Sequence, residues 1–187
     1  MVRWEPGAPD RLQQAALELF STRGYEETTA AEIAQAVGLT ERTFFRHFKD
    51  KREVLFRGQD HLVNAALEGV QAAPQQATPM EIVACALQSI TSAFSDERRP
   101  WSRTRQQVID RNPALQEREQ HKMAMLAATI ADAMTARGVA SPTATLAARS
   151  GIAAFEVAFL RWIADGEQRP LTVIIKDVLD ELRTLLS

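Results

Sequence analysis

Apolar positions recur along this chain at three- and four-residue spacing, and nowhere do they alternate with the two-residue period of a half-buried strand. The pattern predicts an all-α fold of about nine helices. A first helix is predicted over residues 10–23, with Leu12, Ala15, Ala16, Leu19 and Phe20 on one face and Gly24 stopping it. Thr28 caps a second, whose buried side is Ile33, Ala34 and Val37, before Gly38 turns the chain. Thr40 caps a third, in which Glu41 and Arg42 precede Phe44, Phe45 and Phe48. Helices of about two turns do not persist alone, so the second and third must pack on the first.

A longer fourth helix is predicted over residues 50–72, through Val54, Leu55, Leu62, Ala66 and Val70. Thr78, Pro79 and Glu81 then supply a cap, a first-turn proline and a carboxylate three residues after the cap, starting a fifth helix that extends to about residue 95. A short sixth covers residues 103–111. Asn112 with Pro113 starts a seventh ending before Gly138, and Ser141 with Pro142 an eighth ending near Gly166. Pro170 introduces the last, through Leu171, Ile174, Ile175, Val178, Leu182 and Leu185.

Composition narrows the class. With 187 residues, 45% apolar and 25% charged, the chain can bury a sizeable core, and one compact unit with a small appendage is expected, divided as 1–50 and 51–187. No run approaches the roughly 18 apolar residues of a membrane span. The N-terminus lacks the apolar stretch of a signal peptide, so no membrane partner and a cytoplasmic location are expected. Cys85 is the only cysteine, which excludes an intramolecular disulfide; it reads as a small core residue, with redox sensing as a second reading.

A formal net charge of -2 argues against nucleic-acid binding only if charge is evenly spread. It is not: Arg42, Arg46, Lys49, Lys51, Arg52 and Arg57 face only Glu41, Asp50 and Glu53 in the same short segment. The second and third helices, linked by Val37, Gly38, Leu39 and Thr40, form a helix-turn-helix whose third helix can enter a major groove. Arg42, Thr43, Arg46 and His47 are the donors on its exposed side. A glycine turn between amphipathic helices also occurs in purely structural helix pairs, and His47 can equally cap or pack.

The full string TTAAEIAQAVGLTERTFFRHFKDKREVL, from Thr28 to Leu55, resembles the DNA-binding signature of the TetR/AcrR family of regulators, and ALELFSTRGYEE before it resembles that family's first helix and turn. Carried over residue by residue, the resemblance implies DNA contacts from Thr43, Phe45, Arg46, His47 and Lys51. Thr29 and Thr40 stand at helix starts where phosphate can be held, and Arg42 and Arg46 are suited to guanine. Two departures stand out: Phe45 replaces a frequent tyrosine, and Ala31 a frequent arginine.

For residues 51–187 the resemblance implies a helical bundle that binds a small apolar effector and pairs two copies on a double-stranded DNA operator, with no cofactor or metal. Candidate pocket residues are Leu62, Gln88, Phe94, Trp101, Arg105, His121, Met123 and Met125. Apolar stripes at helical spacing also read simply as core. The arginines at 98, 99, 103, 105 and 111 read either as an anion site or as a solvated face among acids. Helices eight and nine carry more apolar perimeter than a terminal surface helix needs, so Phe155, Ala158, Phe159, Trp162, Ile174, Val178 and Leu182 are candidates for a homodimer interface, with burial in their own chain as the alternative. Catalysis is not expected: there is no phosphate loop, no HExxH and no nucleophile elbow, and Glu117 with His121 makes a poor metal site. The competing readings are an effector-independent dimeric regulator and a small-molecule-modifying enzyme.

Overall fold

The computed structural model of the protein describes residues 7–185, which form nine α-helices and two short 3-10 helices without a strand among the described residues. The helices are α1 (Ala8–Thr22), α2 (Ala30–Ala36), α3 (Glu41–His47), α4 (Gln59–Ala72), α5 (Pro79–Thr91), α6 (Arg99–Asp110), α7 (Pro113–Ala136), α8 (Ser141–Ile163) and α9 (Leu171–Leu185). The all-α expectation therefore holds, while several boundaries move. The cap of α2 is Thr29, not Thr28, whose hydroxyl instead donates to the Gly24 carbonyl. The long fourth helix is broken: a 3-10 helix Arg52–Phe56 precedes α4, and between them Gly58 sits at φ 97°, a left-handed conformation that costs other residues energy and ends helical propagation.

The chain divides into two compact units. The first contains the described residues up to Arg57 together with Thr104–Glu119. In it α1 packs on α2, α3 and the 3-10 helix, burying Leu12, Ala16, Phe20, Ile33, Phe44, Val54 and Leu55. Two ion pairs brace the later segment of this unit: Arg105 donates to Glu119 and to the Leu55 carbonyl, and Arg118 to Glu53.

The second unit, Gly58–Arg103 with the described residues from Gln120, has a core of Val83, Leu87, Ile90, Leu126, Ile130, Met134, Phe155, Trp162, Ile174 and Ile175. Close helix crossings require glycine twice. A Cβ on Gly69 would lie 2.6 Å from both the Ala86 Cα and the Cys85 carbonyl oxygen, and one on Gly151 would overlap the Val83 side chain. Arg137 donates to the carbonyls of Val70, Gln71, Ala73 and Pro74, satisfying the end of α4. By length and composition α8 is apolar enough to cross a membrane, contrary to the expectation that no segment would be. Ala144, Ala148, Gly151, Ile152, Phe155, Ala158 and Trp162 along it are nevertheless buried in this unit, the pattern of a core helix in a globular bundle.

Candidate nucleic-acid interface

The turn between α2 and α3 follows from a single backbone conformation. Gly38 lies at φ 70°, and the N–H groups of Gly38 and Leu39 return to the carbonyls of Gln35 and Ala34, closing the end of α2. Two residues later Thr40 accepts a hydrogen bond from the Thr43 N–H, so α3 starts at once. Phe44 is fully buried, and its ring meets those of Phe45 and Phe48 at centroid distances of 5.4 and 5.2 Å. One side of this short helix is thereby held, and the other left open.

On the open side stand Arg42, Phe45 and Arg46, at i, i+3 and i+4, hence on one face. With Thr40 and Thr43 they line an open surface concavity of about 480 Å³. Phe45 is 50% exposed, unusual for a phenyl ring with no polar group. Among the described residues neither Arg42 nor Arg46 has an ion-pair or hydrogen-bond partner, and Lys49 just beyond them is likewise exposed and unpaired. His47 is exposed, its ring 6.4 Å from that of Phe48.

The neighbouring charges are consumed locally. Asp50 accepts hydrogen bonds from the Arg52 and Glu53 N–H groups and from the Arg52 guanidinium. Burial works to raise the Asp50 carboxyl, but the Arg52 guanidinium and the Glu53 N–H hold it below its ordinary value. Arg57 pairs with Asp10. Of the cations in this segment, Arg42, Arg46 and Lys49 are the ones left without an internal partner among the described residues.

Two residues expected to meet phosphate are engaged inside the unit. The Thr29 N–H and hydroxyl both donate to Glu32 Oε2, at 2.8 and 2.9 Å, while Thr29 Oγ1 accepts from the Glu32 N–H. Those bonds, the Thr29 N–H foremost, hold the Glu32 carboxyl below its ordinary value, so a carboxylate already occupies that helix start. Lys51 Nζ donates to the Tyr25 carbonyl at 2.6 Å and lies 4.1 Å from the centre of the Tyr25 ring. The Thr40 and Thr43 hydroxyls are 3.0 Å apart and bonded to each other.

The candidate pocket residues differ in burial and fall in both units. Leu62 and Phe94 are partly buried against the core of the second unit, and Met123 is within it. Gln88 and His121 are exposed, and Met125 is 55% exposed, so none of these three forms an inner wall as expected. Arg105 belongs to the first unit, with its guanidinium committed to Glu119. Trp101 lies beneath the Arg98 guanidinium, 5.4 Å from it. Two of the clustered arginines are engaged by carbonyls of one short segment: Arg99 donates to those of Glu167 and Arg169, and Arg103 to those of Ile163 and Ala164.

The residues predicted for a pairing surface are largely interior. Phe155, Ala158, Trp162, Ile174 and Val178 are buried in the second unit's own core, with Phe159 and Leu182 packed against it. Phe94, Phe155, Phe159 and Trp162 form one cluster with centroids 5.7 to 6.2 Å apart. A smaller apolar stripe not among the predicted residues is exposed instead: Leu146, Ala153, Val157 and Leu160 on α8, with Val173 on α9. Leu146, Ala153 and Leu160 recur at seven-residue spacing, which puts them on one face of α8.

Comparison with known proteins agrees with this architecture. The model of bacterial regulatory proteins of the tetR family matches residues 12–57, and that of the MftR C-terminal domain matches residues 77–187. The HTH-type transcriptional regulator TcmR of Streptomyces glaucescens is 37% identical over 87 residues, covering 46% of this chain and 38% of that regulator's own length. Among solved structures, the fold is similar to FadR of Thermus thermophilus, a TetR-family transcriptional repressor in complex with lauroyl-CoA (TM-score 0.56, 24% identity, 95% and 93% of the two chains). It is similar also to the fatty acid degradation regulator FadR of Bacillus halodurans (TM-score 0.60, 16% identity, 96% of each chain). At these identities the likeness is one of fold.

Proposed function

Because the chain belongs to the tetR family of bacterial regulatory proteins, we propose that it is a DNA-binding transcriptional repressor, released from its operator when a small apolar molecule binds the helical second unit. The observation that carries this reading is the division of α3 into a buried Phe44 face and an open face with Arg42, Phe45 and Arg46, whose two guanidinium groups have no internal partner. An arginine fork matches the O6 and N7 acceptors of guanine, and long-range attraction to phosphate favours cations left unpaired. Thr40, Thr43 and His47 lie close enough along the chain to add contacts to the backbone. Thr29 and Lys51 support the site from inside, by holding the start of α2 and the turn before it.

Two copies would pair through the outer faces of α8 and α9. Leu146, Ala153, Val157, Leu160 and Val173 supply the exposed apolar stripe, and Ala153 allows close helix approach. A two-fold pair of recognition helices reads an inverted repeat with half-sites about one helical turn apart or more. The effector is proposed to contact Leu62, Phe94, Trp101 and Met123, and the protein to act in the cytoplasm. An effector relieves repression if it favours one spacing of the paired units over another.

The test is selection of duplex fragments from a random pool by the purified full-length protein, followed by binding titrations across a salt series. Enrichment of an inverted repeat with steep salt dependence is expected; an unenriched pool overturns the reading. Release of that operator by members of an apolar compound library, matched by a rise in Tm, tests the effector arm.

A further inference from the structure

The exposed side of α8 carries charge as well as apolar bulk. Leu146, Ala153 and Leu160 share one face with Val157, and Leu146, Val157 and Leu160 are 69%, 44% and 52% exposed. Arg149 and Glu156, also seven residues apart, stand along one edge of that face, and both are exposed. Arg149 has no ion-pair or hydrogen-bond partner among the described residues. About 10 Å of helix separates it from Glu156 of its own chain.

This face is complementary to itself when one copy is reversed. Counted outward from Ala153, Leu146 and Leu160 stand seven residues away on either side, and Arg149 and Val157 four, with Glu156 next to Val157. Resting on the pairing reading above, we propose that α8 packs antiparallel on α8 of a second copy with the two-fold axis at Ala153, and that Arg149 pairs with Glu156 of the partner subunit, twice, to set register and partner choice. In that register Leu146 meets Leu160 of the partner subunit, and the small Ala153 on the axis lets the helices approach closely. A two-fold axis perpendicular to the helix brings the same edge of each copy together, so the cation and the anion on that edge meet. A parallel pairing would set Arg149 level with Arg149 and Glu156 level with Glu156, which like-charge repulsion disfavours. Charges beside an apolar seam select partners for this reason: a mismatched copy leaves like charges facing each other.

Charge reversal in the full-length protein, read by sedimentation equilibrium, tests this. Arg149→Glu and Glu156→Arg should each fold like the parent by circular dichroism, and each should raise the dimer dissociation constant by about tenfold or more. Mixed in equal amounts, the two should recover dimers, because every facing pair is then of opposite sign. The double variant, Arg149→Glu with Glu156→Arg, should pair like the parent. Ala153→Cys should oxidise to a covalent dimer, whereas Leu146→Cys should not, its two copies lying about 21 Å apart in this register. The parent, with Cys85 as its only cysteine, is the control. Dimers indifferent to either reversal, a mixture no tighter than its components, or crosslinking at Leu146→Cys but not at Ala153→Cys overturns the proposal while pairing itself stands. A parent that sediments as a monomer overturns the pairing reading, and the proposal with it.

Discussion

Lys51 reaches back 26 residues to place its ammonium 2.6 Å from the carbonyl of Tyr25 and 4.1 Å from the centre of the same residue's ring. Tyr25 in turn stacks edge-on against Phe20, and burial pushes its hydroxyl up to about 12. The segment after the recognition helix is thereby tied to the turn between α1 and α2, so a lysine next to the candidate DNA surface acts first on the fold. Lys51→Met, which keeps the aliphatic stem, is expected to destabilise the protein by roughly 1–2 kcal/mol in urea titrations. A larger effect on the salt slope of DNA binding than on stability would contradict this assignment.

Arg46 presents the opposite case, exposed and without an internal partner. Arg46→Ala should leave Tm unchanged and weaken operator binding by about tenfold or more, with Arg42→Ala similar in kind. Equal affinity of variant and parent in a gel-shift titration would remove α3 from the interface.

The outer stripe of α8 predicts the oligomeric state. Leu160 is 52% exposed, so Leu160→Glu should fold normally yet sediment as a monomer and lose operator affinity. Phe155→Ala, by contrast, opens a cavity in the second unit's core and should cost about 3–5 kcal/mol of stability whatever it does to pairing.

Close packing at the two helical glycines makes them intolerant of a single carbon. Gly69→Ala drives a methyl into the backbone of Ala86 and Cys85, whereas Gly151→Ala meets the Val83 side chain, which can rotate. Losses of roughly 1–3 kcal/mol are expected, larger for Gly69→Ala, as measured by denaturant unfolding.

Glu167 predicts an acid response. Its carboxylate accepts hydrogen bonds from the Arg169 side chain and N–H and from the Gln168 N–H, which lower its pKa from 4.5 to about 2. A depressed folded-state value means the contribution is complete above about pH 4.5 and is lost as pH falls toward 2. Tm profiles of the parent and Glu167→Gln should therefore differ above that window and converge within it; a constant offset would contradict the linkage.

Much of this was readable beforehand. Thr40, Thr78 with Glu81, and the prolines at 79, 113 and 142 marked helix starts because capping is local chemistry between residues three apart. The break at Gly58 was not legible in the same way, since the apolar period runs straight across it and its φ of 97° follows a 3-10 helix that the period does not predict.

The sequence by itself determined the helical class, the helix-turn-helix and the concentration of positive charge near α3, because spacing, caps and a glycine turn act over one or two helical turns. Only the tertiary structure decided which side of each helix is free. It turned Phe155 and Trp162 inward and left Leu146 and Leu160 outside, and it committed Lys51 to Tyr25 and Arg105 to Glu119. Amphipathic period shows that a helix has an apolar face, but partners distant in the chain determine which apolar face is covered and which cation keeps its charge for DNA.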